Sequence, residues 1–238
     1  MFRKPDIERY RARMARIARW DRPLLRRRDR ARAWASMILS DHGIFRLFYL
    51  NKHSVDGKLH RAAQPWPHQI ARFAREGGRS IVYLRGGREH GSWPLEKEAA
   101  ERHGLQLAEF LARSREAPSK EMLRAAPAFF AGLAYPTLIH CKSGADRAGF
   151  VAALYVLVHL GGAADEALKQ LHSRYGHFHW SKTGILDRFF ELYRDDGEAK
   201  GIAFLDWVET RYDPEALQRA FKPGFWSNLL VDRVLHRE

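Results

Sequence analysis

Leu138-Ile139-His140-Cys141-Lys142-Ser143-Gly144-Ala145-Asp146-Arg147-Ala148-Gly149 is the stretch on which the reading of this chain turns. It holds the only cysteine among 238 residues. A short apolar run, Pro136 to Ile139, leads into it, and a long apolar run, Gly149 to Leu160, leads out. This order predicts a strand, a tight loop and the N-terminus of a buried helix. Backbone N–H groups in such a turn, with the unpaired N–H groups that open a helix, make a concave site for a phosphate-sized anion. The same positive end favours a thiolate, and the thiolate is the nucleophile. Gly144 permits turn dihedrals that a Cβ would obstruct. Arg147 can close over the loop with a planar fork that grips two oxygens, which Lys cannot do. Cys141 beneath the anion would attack phosphorus, and water would then free the phosphate from sulfur. The bland reading is a small buried cysteine beside an ordinary turn. Strand, spacing, glycine, arginine and helix agree against it.

The stretch resembles the His-Cys-x5-Arg signature of the cysteine-dependent protein tyrosine and dual-specificity phosphatases. It is most similar to the dual-specificity branch and its inositol-phosphate and lipid relatives, many of which carry Lys after the Cys. Two more phrases resemble the atypical bacterial, plant and fungal members: Leu59-His-Arg-Ala-Ala-Gln-Pro65 and the apolar strand Ser80-Ile-Val-Tyr-Leu-Arg85. The resemblance covers residues 58 to about 175. It implies Cys141 as nucleophile and His140 as support for the thiolate. It implies phosphate held by Arg147 and by the amides of Lys142, Ser143, Gly144 and Ala145. Arg85, at the end of its strand, could reach the same sheet edge, where ligands bind in open α/β sheets; a surface Arg capping the strand is an equal reading. Two departures stand out. Ala148 occupies the place where relatives carry Ser or Thr, whose hydroxyl helps the thiolate leave. The loop Leu111-Ala-Arg-Ser-Arg-Glu-Ala-Pro118 lacks the Asp that protonates the leaving oxygen. Glu116 and Asp146 are the carboxyls left as candidates for that acid.

The composition bounds the rest. The chain is long enough for one sizeable α/β domain with extensions or for two small ones. A lone cysteine excludes an internal disulfide and fits a reducing compartment. The N-terminus is charged and has no apolar core segment of the secretory type. The longest apolar run, Phe150 to Val158, is broken by His159 and is short of the roughly 20 residues a membrane span needs. A cytoplasmic location is therefore expected, with peripheral contact at the inner membrane surface as an extension of it. The net charge of +13 is uneven: residues 1–34 hold 13 Lys/Arg against 4 Asp/Glu. Residues 6–20 read as a helix, with Ile7, Tyr10, Met14 and Ile17 on one stripe and arginines around it. Such a helix can lie on an anionic membrane surface. Equally, it can pack its stripe on the domain and leave its arginines in water. No nucleic-acid motif accompanies the charge, so nucleic acid is not the expected partner.

Residues 43–63 are rich in strand formers, Phe45, Leu47 to Leu50 and Lys58 to Ala62, with an Asp56-Gly57 turn between them. A helix from Pro67 buries Ile70, Phe73 and Ala74 and closes at Gly77-Gly78. Helices are predicted at 94–103, 119–133 and 163–174, and a strand at 105–110. The Gly86-Gly87 pair lacks the spacing and the Lys of a nucleotide loop. His177 and His179 flank Phe178 in a stretch with Arg174 and Lys182. A pocket wall and a structural loop are the leading readings there, with a metal site a thin third. Residues 184–236 are helical in pattern, and the apolar tail Phe225 to Leu235 would dock back.

The expected fold is α/β: a small, mainly parallel sheet flanked by helices on both faces, as in dual-specificity phosphatases. It carries a basic helical arm (residues 1–42), a core (43–175) and a helical C-terminal extension (176–238). The expected activity is phosphomonoester hydrolysis without metal or cofactor. Phosphotyrosine or phosphoserine/threonine proteins are the first substrate class, and phospholipids or inositol phosphates at a membrane surface the alternative. A rhodanese-like sulfurtransferase and an inactive phosphate-binding module are the competitors from other classes.

Overall fold

The computed structural model describes residues 4–221. In chain order it comprises helices α1 (Lys4–Trp20) and α2 (Arg27–Ala35), a π-helical turn (Ser36–Ser40), α3 (Gly43–Phe48), strands β1 (His53–Ser54) and β2 (Leu59–Ala63), and α4 (Pro67–Arg75). There follow β3 (Ser80–Tyr83), α5 (Ser92–Arg102), β4 (Gln106–Glu109), α6 (Lys120–Ala131), β5 (Thr137–Cys141) and α7 (Asp146–Val158). The last elements are α8 (Ala164–Leu168), α9 (Ile185–Asp196), α10 (Phe204–Thr210) and α11 (Pro214–Ala220). The apolar tail expected to dock back lies outside the described residues.

The strands form one five-stranded sheet in the order β1-β2-β5-β3-β4. β2, β5, β3 and β4 run parallel, and β1 is an antiparallel edge joined to β2 across the Asp56-Gly57 turn. In β5 every residue is buried, as expected for a central strand with both faces covered. Alternation along β5 decides the chemistry. Ile139 and Cys141 face one layer, with Phe130 of α6, Phe150 to Tyr155 of α7 and Phe189 and Phe190 of α9. Leu138 faces the other layer, with Ile70 and Phe73 of α4 and Ala99 and Ala100 of α5. Helix α7 is buried from Asp146 to Leu157, all round its axis, because β5, β2, α6 and α8 pack around it and Phe150 meets Phe189 and Phe190 of α9. The C-terminal helices are thus part of the main core: Trp207 of α10 and Leu217 of α11 close its far side.

Two sequence expectations need correction. Residues 43–48 form a helix, not a strand. The Trp66 indole donates to the Gly43 carbonyl at 2.9 Å, and a buried Arg46–Asp41 ion pair at 2.9 Å ties the helix down. These tertiary contacts outweigh local β-propensity. The helix expected over 163–174 stops at Leu168, because the chain turns to offer the Gln170 carbonyl to the buried Arg61.

Candidate active site

Cys141 ends β5, and the loop of residues 142–145 carries the chain into α7. The sulfur faces into that loop, where the Gly144 N–H donates to Sγ at 3.3 Å. Gly144 has φ +76°, and a Cβ there would come within 2.6 Å of the Ala62–Ala63 backbone. The position therefore needs glycine for its dihedral and for its closeness to β2.

The carbonyls of the loop are held by donors from outside it. Arg61, fully buried in β2, donates through one terminal nitrogen to the Gly144 carbonyl at 2.9 Å and the Ala145 carbonyl at 2.8 Å. Its other terminal nitrogen donates to the Gln170 carbonyl, and the guanidinium lies 4.1 Å from the Tyr175 ring centre. Burial pulls the Arg61 guanidinium down to about 10, and the nearby Cys141, Tyr175 and Asp146 resist that shift, so it remains a cation at neutral pH. Asn51 takes the next carbonyl. Its amide nitrogen donates to the Ser143 carbonyl at 3.0 Å and the Tyr175 carbonyl at 2.9 Å. Together Arg61 and Asn51 lock three consecutive loop carbonyls away from the cradle.

Arg147 sits in the first turn of α7 and donates to the Arg85 carbonyl at 3.4 Å. Arg85 follows β3 at the same edge, with its side chain held in an ion pair. Its guanidinium makes a bidentate pair with Asp41, both bonds 2.8 Å, and donates to the side-chain amide oxygen of Gln64. Its main-chain carbonyl accepts the bond from Arg147. Burial opposes ionisation of Asp41, but Arg85 and Arg46 hold its carboxyl well below the ordinary range. His140 points to the opposite face of the sheet from Cys141, fully buried, with Nε2 2.6 Å from Glu96 of α5. Gln64 donates to the second Glu96 oxygen at 2.7 Å. A continuous buried chain, His140–Glu96–Gln64–Arg85–Asp41, thus underlies the cradle.

Asp146 and His177 meet. His177 lies between two carboxylates, with Nδ1 2.7 Å from Asp146 and Nε2 2.6 Å from Asp187 of α9. Burial works against its charged form, but the bonds to both aspartates outweigh it and push the imidazole up to about 9. With both ring nitrogens engaged, His177 is a clamp between the loop and α9. That replaces the pocket-wall and metal readings for His177. Among the described residues no group of three or more His, Cys, Asp or Glu could hold a metal ion. Glu116 lies exposed on the loop after β4 and pairs with Arg113 at 2.8 Å. That loop is pinned from the C-terminal helices: Tyr212 donates to the Pro118 carbonyl at 2.8 Å, and the Ala117 N–H donates to Gln218 at 2.8 Å. Ala148 is fully buried behind the cradle.

Arg61, Asn51 and Glu96 were missed in the sequence. A signal existed for the first: an arginine within a five-residue buried strand must have acceptors. Asn51 and Glu96 gave none.

The cysteine-headed loop thus stands at the carboxyl edge of the central strand, where ligands bind in open α/β sheets. Residues 57–170 match the model of the tyrosine phosphatase family. Solved structures with a similar fold include TpbA of P. aeruginosa, 18% identical, covering 72% of this chain and 90% of its own, with a TM-score of 0.49. SIW14 of S. cerevisiae is 19% identical over 68% of this chain and 96% of its own, with a TM-score of 0.49. A DUF442 protein of Shewanella putrefaciens is 16% identical over 64% of this chain and 97% of its own, with a TM-score of 0.50. No curated protein matches the sequence.

Proposed function

We propose that the chain hydrolyses phosphomonoesters through a phosphocysteine on Cys141. The observation that carries this reading is the sulfur of the sole cysteine set in a loop whose carbonyls are tied outward. The Sγ thiolate attacks phosphorus, the P–O bond to the leaving group breaks, and the departing oxygen takes a proton. Water then attacks phosphorus and the thiolate leaves. The amides of residues 142–147 and the Arg147 guanidinium carry the charge of the transferring group.

Of the two candidate acids, Asp146 is committed as acceptor to the His177 imidazolium, which suits positioning. Glu116, on the loop after β4, is left as the proposed acid for the leaving oxygen, and its ion pair with Arg113 must open for it to carry the proton.

Phosphotyrosine or phosphoserine/threonine proteins are the first substrate class. TpbA has been crystallised with phosphotyrosine, and SIW14 is a PP-IP phosphatase. Fold likeness alone brings neither substrate to this chain. A phosphorylated lipid is the second reading, favoured by the α1 stripe: Ile7, Tyr10 and Met14 are exposed to solvent and not packed on the domain. No helix among the described residues is long and apolar enough to cross a membrane, so contact would be peripheral. A cytoplasmic site of action at the inner membrane surface fits both readings.

Radiolabelled phosphate should be trapped on the wild type and not on Cys141→Ser, which should still bind a phosphate analogue. Undiminished turnover by Cys141→Ser rejects the mechanism. Label absent from the wild type leaves only a binding module, and activity in a thiosulfate–cyanide assay would indicate sulfur transfer instead.

A further inference from the structure

We propose that residues 39–49 form an apolar knuckle that inserts into an anionic lipid bilayer beside the catalytic loop, with the N-terminal arginines bound to the headgroups. Leu39, Phe45 and Phe48 are 74%, 70% and 84% exposed, and Ile44, Leu47 and Tyr49 are also open to solvent. Six large apolar side chains within eleven residues are unusual on a free surface. Left-handed residues, His42 at φ 52° and Asn51 at φ 51°, stand on either side of α3. Its base is rigid: Arg46 is buried against Asp41, and the Gly43 carbonyl accepts from Trp66. The inner residues anchor the knuckle while the aromatic ones project outward.

The charge identifies the occupant. Residues 1–34 are net basic, 13 Lys/Arg against 4 Asp/Glu, and the whole chain carries +13. A second copy would bring the same excess of positive charge, so like charges oppose self-association through this face. The tail beyond residue 221 carries no acidic excess to match the arginines. An anionic bilayer supplies negative charge and an apolar interior together. Helix α1 adds its own exposed stripe, in which Tyr10 is 63% exposed.

The place of the knuckle joins it to function. Two residues after Tyr49, Asn51 holds the Ser143 carbonyl of the catalytic loop, and the Tyr49 hydroxyl donates to Asn51 at 3.1 Å. Arg13 and Arg16 of α1 both bind Glu89, four residues beyond the Arg85 carbonyl that holds Arg147. Knuckle and arm are thus each tied to segments that support the loop, so docking through them would hold the site close to the membrane. The inference concerns the surface and stands apart from the substrate class.

The test uses the full chain with vesicles of phosphatidylcholine alone or with one-third phosphatidylglycerol. Wild type should sediment with the anionic vesicles and not the neutral ones, and added salt should release it. The double variant Phe45→Ser/Phe48→Ser should bind about tenfold or more weakly. Its melting temperature and its hydrolysis of soluble nitrophenyl phosphate should be unchanged. Equal binding by variant and wild type, or no binding by wild type, overturns the proposal. A dimer in light scattering that the double variant dissolves would make the knuckle a self-association surface and overturn it too.

Discussion

Replacing Arg61 by Met tests whether the outward pull on the loop carbonyls is what aims the amides. Met has similar length and no donors. The change strips donors from the Gly144, Ala145 and Gln170 carbonyls and leaves them inside the core. Each buried acceptor left without a partner costs about 1–3 kcal/mol. Part is recovered, since Met no longer carries the desolvation of a buried charge, so a net loss of about 3–5 kcal/mol is expected. For a chain of this size, at about 2–4 °C per kcal/mol, that lowers the melting temperature by about 6–20 °C. With the carbonyls free to rotate, the amides lose their aim at the transferring phosphoryl group. Losing one such donor typically costs about 100-fold or more in kcat. Calorimetry and hydrolysis of nitrophenyl phosphate, measured well below the variant's melting temperature, read the two effects separately. Arg61→Lys should fall between, since an ammonium is a point charge without the fork that reaches several carbonyls. A variant that melts early but keeps wild-type kcat/KM in the cold refutes the aiming role. One that keeps both refutes the whole account of Arg61.

Other expectations follow from the same site. Ala148→Ser places a hydroxyl in the first turn of α7, behind the sulfur, and should speed breakdown of the phosphoenzyme about tenfold, equivalent to about 1.4 kcal/mol. Rapid-quench kinetics should show a faster rate after the burst, and an unchanged rate refutes the idea. Glu116→Gln should slow phenyl phosphate hydrolysis far more than nitrophenyl phosphate hydrolysis, because the better leaving group needs less protonation; equal losses would remove Glu116 as the acid. His177 is raised from 6.5 to about 9 in the folded chain. Its contribution is therefore complete below pH 6.5 and lost as pH rises through about 9, a fall of about 3 kcal/mol. Denaturant titrations across that range should show the decline, and His177→Gln should flatten it. A wild type equally stable at both ends contradicts the clamp.

The cysteine loop was legible because it is local. Cysteine, glycine, arginine and the flanking apolar runs lie within one short segment, and a strand–loop–helix unit is specified by neighbours in the chain. The alternation of apolar strands with helices was legible for the same reason, since each element's pattern is written along its own length. Readings that depended on long-range partners fared otherwise. Residues 43–48 carry β-forming side chains, yet the Asp41 ion pair and the Trp66 indole bend them into a helix.

Arg85, at the end of a strand on the loop's edge of the sheet, read equally as a ligand and as a strand cap. Asp41, far off in sequence, claims its guanidinium. Asn51, Arg61 and Glu96 come from three separate elements, and nothing in their own neighbourhoods announces which carbonyl or imidazole they hold. His177 became a clamp only once α9 brought Asp187 to the far side of its ring. One chain segment can supply the reacting atoms, but it cannot fix its own carbonyls. The donors that do so must come from elements folded against it, and hydrogen-bond geometry over a few ångströms is set by packing, not by sequence spacing.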